Sequence, residues 1–341
     1  MNATVLLRRT ALLTLALLTL ALLLPACKWR PAAEPAEPAI AVHFLAASDR
    51  TAYQQMQRLV LTRLLAEADA RLNLVLHPAD GNAIRQSQQL RAAAREKPDF
   101  LLVDPLNATA LAAPLAELRQ AGTRVIGLGE AAATLDCDTV LLCPQKELGR
   151  LAGDLIRRAL ERRAQELGLP APQGRVVQIR GDEEAAACQA RDDAFRAELA
   201  KAPGLVLVHD APGFWTREQA AERVREALRL QGGFEAVYAH DDLMAAGVIE
   251  ALPADVRENV LVVGTDGHGG RAGGYTLVNA GVLDASIYQP LLVDFAVQLI
   301  TKSLREPAFR PKPQYVLQPR TVTPRELDDI RLNGMAPYPE P

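Results

Sequence analysis

From Ala39 onward the sequence alternates short, almost wholly apolar runs with longer segments of helical periodicity. Phe100-Leu101-Leu102-Val103 is one of the apolar runs. Apolar strands that alternate with helices indicate parallel sheets covered by helices on both faces. At about 290 residues this body is too long for one typical core, so we expect an α/β fold with two lobes. The predicted strands lie at 40–45, 72–76, 100–103, 123–128, 139–142, 175–179, 205–208, 236–239, 260–263, 283–287 and 315–317.

The first 27 residues have the organisation of an export signal. Arg8-Arg9 supply positive charge, Ala11–Leu24 is an apolar run, and Leu24-Pro25-Ala26-Cys27 follows. The run is shorter than the roughly 20 residues that span a bilayer, so 1–26 is predicted to be a removable signal peptide. The last four residues resemble a bacterial lipobox, which implies cleavage before Cys27 and its lipidation. An ordinary signal with a chance cysteine is the alternative.

Residues 27–38 form the next predicted unit. They include the run Pro-Ala-Ala-Glu-Pro-Ala-Glu-Pro, in which proline fixes φ and few side chains can pack. We therefore expect an extended tether between a lipid on Cys27 and the folded body. The protein would be exported and anchored to the membrane, facing the periplasm or the cell exterior.

Charge and cysteine content exclude some classes of protein. The chain has 38 Lys and Arg against 41 Asp and Glu, whereas a nucleic-acid partner normally requires a basic surface. Four cysteines are too few for a disulfide scaffold at this length. In an exported chain Cys143 could pair with Cys137 or with Cys188, and either pairing leaves one free thiol.

Polar residues and glycines cluster directly after the predicted strands. The pairs are Ser48-Asp49, Asp104-Pro105, Gly181-Asp182, Asp241-Asp242 and Asp266-Gly267. In open α/β sheets, ligands bind outside the carboxyl ends of the strands. The sequence therefore predicts a ligand site at this edge.

Three segments occur in an informative order: Val237–Gly247, Val262–Gly267 and Leu283–Pro290. Together they resemble the type I periplasmic binding proteins of the ribose- and galactose-binding kind, over roughly residues 39–320. The resemblance implies two lobes joined by three crossing strands, with a ligand held in the cleft between them. It implies neither enzymatic activity nor a cofactor.

The resemblance also implies which side chains contact the ligand. Asp266 matches an acceptor for two sugar hydroxyls, and Tyr53 and Trp215 match aromatic rings that lie against a sugar. Structural alternatives are a turn for Asp266 and core packing for Trp215, while Asp242 is expected to cap the following helix. The expected ligand contacts are Tyr53, Asp104, Gln189, Trp215, Asp241, Asp266 and Gln289.

Several positions depart from the family pattern. Gly129-Glu130 stands where the family has Asp-Arg, and Gln189 stands where an arginine forks onto sugar oxygens, so Arg191 is interpreted as structural. Asp104 and Asp241 occupy positions where the family usually has amides. We therefore expect a cationic or amine-bearing ligand, or a different polyol, in place of the common aldopyranoses and ribofuranose.

Other kinds of site fit the sequence less well. The glycines that follow Asp266 lack a Walker lysine, and no serine lies in a nucleophile elbow. Five side chains near the predicted strand ends are of types that can bind a metal, but they lack the close sequence spacing of a metal site. They are His240, Asp241, Asp242, Asp266 and His268.

The sequence thus predicts a monomeric, lipid-anchored binding protein that delivers a small polar, carbohydrate-like ligand to an ABC importer. The alternative is a receptor of the same fold that signals to a membrane histidine kinase or chemoreceptor. The expected lobes are 39–143 with 290–312 and 144–289 with 313–325, followed by a C-terminal tail at 326–341.

Overall fold

The computed structural model describes residues 38–183 and 185–328. The strands are β1 Ile40–Ala46, β2 Leu72–Pro78, β3 Phe100–Val103, β4 Arg124–Leu128, β5 Thr139–Leu142, β6 Gly174–Arg180, β7 Leu205–Pro212, β8 Ala236–Ala239, β9 Leu261–Asp266, β10 Ala285–Tyr288, β11 Gln314–Val316 and β12 Arg320–Val322. The helices are α1 Ala52–Ala68, α2 Ala83–Glu96, α3 Ala108–Gln120, α4 Gln145–Glu166, α5 Ala186–Leu199, α6 Arg217–Gln231, α7 Asp242–Ala251, α8 Ala254–Arg257, α9 Gly274–Asn279 and α10 Leu292–Arg305.

These strands form two six-stranded sheets. The first has the order β11-β5-β4-β3-β1-β2 and the second β12-β10-β9-β8-β6-β7. Among the described strands, β10 and β12 pair antiparallel and the other pairs are parallel. The predicted two-lobed α/β fold is confirmed, because strands buried on both faces, such as β3 and β8, alternate with covering helices.

The chain passes between the sheets three times. It leaves the first sheet after β5, returns after β10 to α10, which packs on α1, and crosses again after β11. Residues 313–325 are expected from the sequence to lie in the second lobe, but β11 pairs with β5 of the first sheet. β11 and β12 are only three residues each, and they lack the continuous apolar run that marks the buried strands. The sequence therefore does not show that they belong to different sheets.

Side-chain caps begin several helices at the carboxyl edges of the sheets. Thr51 Oγ1 accepts a hydrogen bond from the Gln54 amide, and the Gln54 side chain accepts one from the Thr51 amide. Asn107 caps α3 and Thr216 caps α6 in a similar way. These caps satisfy amides that the helix leaves unpaired, and they fix the strand-to-helix turns at which ligand-binding residues are expected.

Several predicted features lie outside the described residues. They are the signal segment 1–26, Cys27 and the tether as far as residue 37, and the tail from residue 329 onward. In the part of the chain that the structure describes, no helix combines the length and the apolar character needed to cross a bilayer.

Candidate functional site

A cavity of about 560 Å³ lies at the carboxyl ends of strands from both sheets. Residues that follow β3, β4 and β5 line it from the first sheet, and residues at the ends of β8, β9 and β10 line it from the second. This is the position that the parallel-sheet rule predicts for a ligand. The lining includes these predicted contacts: Tyr53, Asp104, Trp215, Asp241, Asp266 and Gln289.

Gln189 is the predicted contact that the structure places elsewhere. Its side chain is exposed on α5, and its Nε2 donates a hydrogen bond to the Glu183 carbonyl oxygen at 3.1 Å. Arg191 lines the cavity instead. Two steps along an α-helix rotate the side-chain direction by about 200°, so Gln189 and Arg191 lie on nearly opposite sides of α5. The cavity therefore contains a guanidinium that the sequence comparison treats as lost.

The guanidinium of Arg191 is buried and donates three hydrogen bonds. Nη1 donates to the His240 carbonyl oxygen at 2.5 Å, Nη2 to Gln289 Oε1 at 2.7 Å and Nε to Gln145 Oε1 at 2.9 Å. Gly149 on α4 allows this part of α5 to approach, because a Cβ at position 149 would lie 2.0 Å from the Arg191 carbonyl oxygen. Close packing of α4 on α5 thus positions the arginine.

The sequence does contain a signal for Arg191. Cys188, Arg191, Phe195 and Leu199 recur at the spacing of one helix face, and all four are buried. An arginine within an otherwise apolar stripe needs acceptors inside the protein, because burying an unpaired charge is costly. The helical phase of α5 agrees with the structural role expected for Arg191, and motif matching misses only its place in the cavity lining.

Two aromatic rings are held in fixed positions in the cavity lining. The Tyr53 hydroxyl donates to the Pro290 carbonyl oxygen at 2.8 Å. Trp215 has a φ of 60°, and its indole lies against Gly181, where a Cβ would come within 2.0 Å of Cζ2. The Arg191 guanidinium carbon is 5.6 Å from the centre of the indole ring. Rings held in this way suit a ligand that has an apolar face.

Asp241 is the N-cap of α7, a role that the sequence analysis assigns to Asp242. Its Oδ1 accepts a hydrogen bond from the Met244 amide at 2.6 Å. The other oxygen, Oδ2, is buried and has no hydrogen-bond partner. One carboxyl oxygen of Asp241 therefore caps the helix, and the other can accept a hydrogen bond from a ligand in the cavity.

Asp242 instead joins three segments of the second lobe. Its Oδ2 accepts from the amides of Gly267 and Gly274 at 2.7 and 2.9 Å. Its Oδ1 accepts from Ser286 Oγ at 2.6 Å. Three donors on one buried carboxylate fix the loop after β9, the start of α9 and the strand β10, and they hold the neighbouring Asp266 in place.

Burial raises the pKa values of the cavity carboxyl groups. Desolvation raises the pKa of Asp104 to about 6 and that of Asp241 to about 6. The pKa of Asp266 lies well above its ordinary value because of desolvation and the negative charges of Asp241 and Asp242, although Arg191 acts in the opposite direction. The cavity therefore contains more carboxyl groups than Arg191 can balance, and Asp266 in particular favours its protonated form.

Neither of the two disulfides considered from the sequence is present, since Cys137, Cys143 and Cys188 are free thiols. The extended strand β5, at about 3.3 Å per residue, holds Cys137 and Cys143 apart. Cys188 lies beside His240 instead, with Sγ 3.5 Å from Nδ1. In the described part of the chain, no three His, Cys, Asp or Glu side chains converge in a way that could hold a metal ion.

Comparison with known proteins assigns the chain to a family. Residues 43–293 match the family described as "Periplasmic binding protein domain", and the chain belongs to that family. Over 223 residues it is 27% identical to the ribose import binding protein RbsB of Escherichia coli, covering 64% of this chain and 69% of that protein. The protein is a binding protein and not an enzyme.

Solved structures share the fold at lower identity. A periplasmic solute binding protein of an ABC transporter from Actinobacillus succinogenes 130z, with bound D-allose, matches with a TM-score of 0.69 and 20% identity, covering 86% of this chain and all of that one. The fructose binding periplasmic domain of a hybrid two component system matches with a TM-score of 0.67 and 22% identity, covering 87% and 94% of the two chains. At these identities the likeness establishes the fold alone.

The raised pKa of Asp266 predicts a stability change that depends on pH. The folded protein retains a proton that the unfolded chain releases near pH 4, so Asp266 lowers stability as the pH rises above that value. Asp266→Asn should therefore raise Tm at pH 7.5, and the gain should shrink toward pH 4. One pKa unit corresponds to about 1.4 kcal/mol, or about 3 °C in a chain of this size.

Thermal unfolding at pH 7.5, 6 and 4 measures this effect. Asp193→Asn is the matched control, because it removes a carboxylate from an exposed position on α5. The control should leave Tm nearly constant relative to the native protein at each pH. A Tm of Asp266→Asn equal to or below the native value at pH 7.5 would contradict the prediction, because it would show that Asp266 does not lower the stability of the folded protein at that pH.

Proposed function

We propose that this protein captures a sugar or a related polyol in the cavity and delivers it, as a monomer, to an ABC importer. The cavity carries this proposal because it places Tyr53 and Trp215 beside a set of hydrogen-bonding oxygens. A sugar has an apolar face and a ring of hydroxyl groups, each of which can donate and accept. The volume also lies in the range of about 300–1,000 Å³ that is usual for small-molecule sites.

The names of relatives support the same class of ligand. The E. coli relative is a ribose import binding protein, and another relative in the same organism is a D-allose-binding periplasmic protein with 25% identity over 220 residues. We further propose that residues 39–143 with 290–316 form one lobe and 144–289 with 317–325 the other. Closure of these lobes around the three crossings would bury the ligand and create the form that a partner recognises.

A sensory role is the second candidate. The fold match to the fructose binding periplasmic domain of a hybrid two component system supports it. Both roles use the same cavity and differ in the partner of the closed form. The two roles can be distinguished by purifying the protein from native membranes in the presence of sugar and identifying its partner. Co-purification of a permease with its ATPase would support import, and co-purification of a histidine kinase would support sensing.

Binding can be measured through Trp215. The chain has two tryptophans, Trp29 and Trp215, so Trp29→Phe leaves Trp215 as the only one. We expect a saturable change in its emission, with a rise in Tm, for at least one of D-ribose, D-allose, D-fructose, xylitol, myo-inositol and D-glucosamine. A ligand at 100 times its Kd stabilises the folded state by about 2.7 kcal/mol.

Trp215→Phe is the control for the origin of this signal. In that variant Trp29 should report no emission change, and the bound sugar should still raise Tm because phenylalanine keeps an aromatic face in the cavity. If no compound in the panel changes either emission or Tm, the cavity does not bind this class of ligand at the tested concentrations and the proposed function fails.

We also propose that Cys27 carries the lipid that anchors the protein after export. The sequence Leu24-Pro25-Ala26-Cys27 and the proline-rich tether support this. Cys27→Ser should move the protein from the membrane fraction to the aqueous fraction, and it should remove the lipid mass from the N-terminal peptide in mass spectrometry. Cys137→Ala should leave both unchanged. Continued membrane association of Cys27→Ser would place the anchor elsewhere.

A further inference from the structure

The charged side chains that line the cavity are strongly unbalanced. Asp104, Glu130, Asp241 and Asp266 contribute four carboxyl groups, and Arg191 contributes a guanidinium. Glu130 is exposed, so water and salt screen its charge. Asp241 and Asp266 are 2% and 6% exposed, so a negative charge on either one is screened far less.

Arg191 is bonded to neutral groups. Its hydrogen bonds go to the His240 carbonyl oxygen and to the side-chain oxygens of Gln145 and Gln289. These bonds hold the guanidinium between the end of β8, the start of α4 and the crossing after β10. Its single positive charge cannot balance both Asp241 and Asp266, so the cavity can accept a second cation beside these two side chains.

Asp241 and Asp266 lie at the carboxyl ends of β8 and β9. β8 and β9 are parallel neighbours in which Tyr238 pairs with Val263. Asp241 and Asp266 each come three residues after the last paired residues of the two strands, and both line the cavity. The charge of Asp241 contributes to the raised pKa of Asp266, which is expected of two carboxyl groups that lie close together. The capping bond to Met244 fixes the orientation of Asp241 and leaves its buried Oδ2 without a partner.

We propose that the ligand is an aminated sugar or polyol and that its protonated amine binds between the carboxylates of Asp241 and Asp266. This inference rests on the proposed function and names the class of ligand. The sequence leaves a neutral polyol open as the alternative, and the structure favours the amine because an unpartnered, buried carboxylate oxygen stands beside a second carboxylate. An ammonium group provides three donors and a full positive charge, whereas a hydroxyl provides one donor and no charge. A cation beside Asp266 also favours release to solvent of the proton that Asp266 retains in the ligand-free protein.

The hydroxyl groups of such a ligand have partners elsewhere in the lining. Asp104 lies at the end of β3 on the opposite sheet and provides further acceptor oxygens. The rings of Tyr53 and Trp215 provide apolar surface for the carbon skeleton. The ammonium group would thus set the orientation of the ligand, with the remaining polar groups shared between the lobes.

Calorimetric titration at pH 7.5 with matched compounds tests the proposal. The pairs are D-glucosamine with D-glucose, D-galactosamine with D-galactose and D-mannosamine with D-mannose, and the N-acetyl derivatives serve as neutral compounds that retain the nitrogen. We expect at least one amine to bind ten times or more tightly than both its parent sugar and its N-acetyl derivative. Charge-assisted hydrogen bonds are roughly twice as strong as neutral ones, which accounts for a preference of this size.

Asp241→Asn tests the residue that carries the inference. Asparagine keeps an oxygen that can cap α7, so the helix start is preserved while the charge is removed. We expect the ratio of amine to neutral affinity to fall at least tenfold. Asp266→Asn should act in the same direction, and it provides a second test if Asp241→Asn does not fold. Asp193→Asn removes an exposed carboxylate from α5 and should leave the ratio unchanged.

The possible results separate this inference from the proposed function. Neutral sugars that bind as tightly as their amines would overturn the inference and leave the proposed function in place. An amine preference that survives both Asp241→Asn and Asp266→Asn would overturn the assignment of the ammonium group to these carboxylates. If neither the amines nor the neutral sugars bind, the proposed function and the inference both fail.

Discussion

The hydrogen bonds of the buried Arg191 guanidinium connect the parts of the structure that form the cavity. One bond reaches the end of β8, one the start of α4 and one the crossing after β10. Gln289 directly follows β10 of the second sheet, and Gln145 comes three residues after the end of β5 in the first sheet. Burying a guanidinium costs free energy unless its donors are hydrogen-bonded. These three segments must therefore keep their positions relative to α5. The same side chain therefore supports the fold and lines the site.

Other parts of the cavity depend on local constraints of the same kind. Trp215 can lie where it does because Gly181 has no side chain, and the carboxylate of Asp242 holds the glycine-rich loop after Asp266. In each case a buried polar or aromatic group is placed by a close backbone contact. The cavity surface at the second sheet is thus preorganised, which reduces the entropy lost when a ligand binds.

Periodicity and strand-end chemistry were sufficient to predict the fold and much of the cavity lining. Asp104, Asp241 and Asp266 could be predicted because each follows a buried parallel strand, and the carboxyl ends of such strands meet at one edge. Motif spacing could not show which of Gln189 and Arg191 faces the cavity, because that depends on how α5 is rotated about its axis relative to the neighbouring elements. The sequence does not show which of Asp241 and Asp242 caps the helix, because either aspartate can do so and the outcome depends on the geometry of the turn.

Long-range features were the hardest to predict. The strands β11 and β12 belong to different sheets although three residues separate them, and their three-residue sequences are too short to carry a pattern that indicates this. The free state of Cys137 and Cys143 follows from the extended strand between them. Charge balance in the cavity also required the structure, since it depends on which carboxyl groups are buried together and on where Arg191 directs its donors.

Replacement of Arg191 by lysine is the most direct test of the central role assigned to the guanidinium. Lysine keeps the positive charge but cannot make the forked bonds to His240, Gln145 and Gln289. The measurement is the Tm of Arg191→Lys together with its affinity for D-glucosamine and D-ribose, compared with the native protein. We predict a lower Tm and at least tenfold weaker binding of whichever sugar the native protein binds. A variant with native Tm and native affinity would contradict the account.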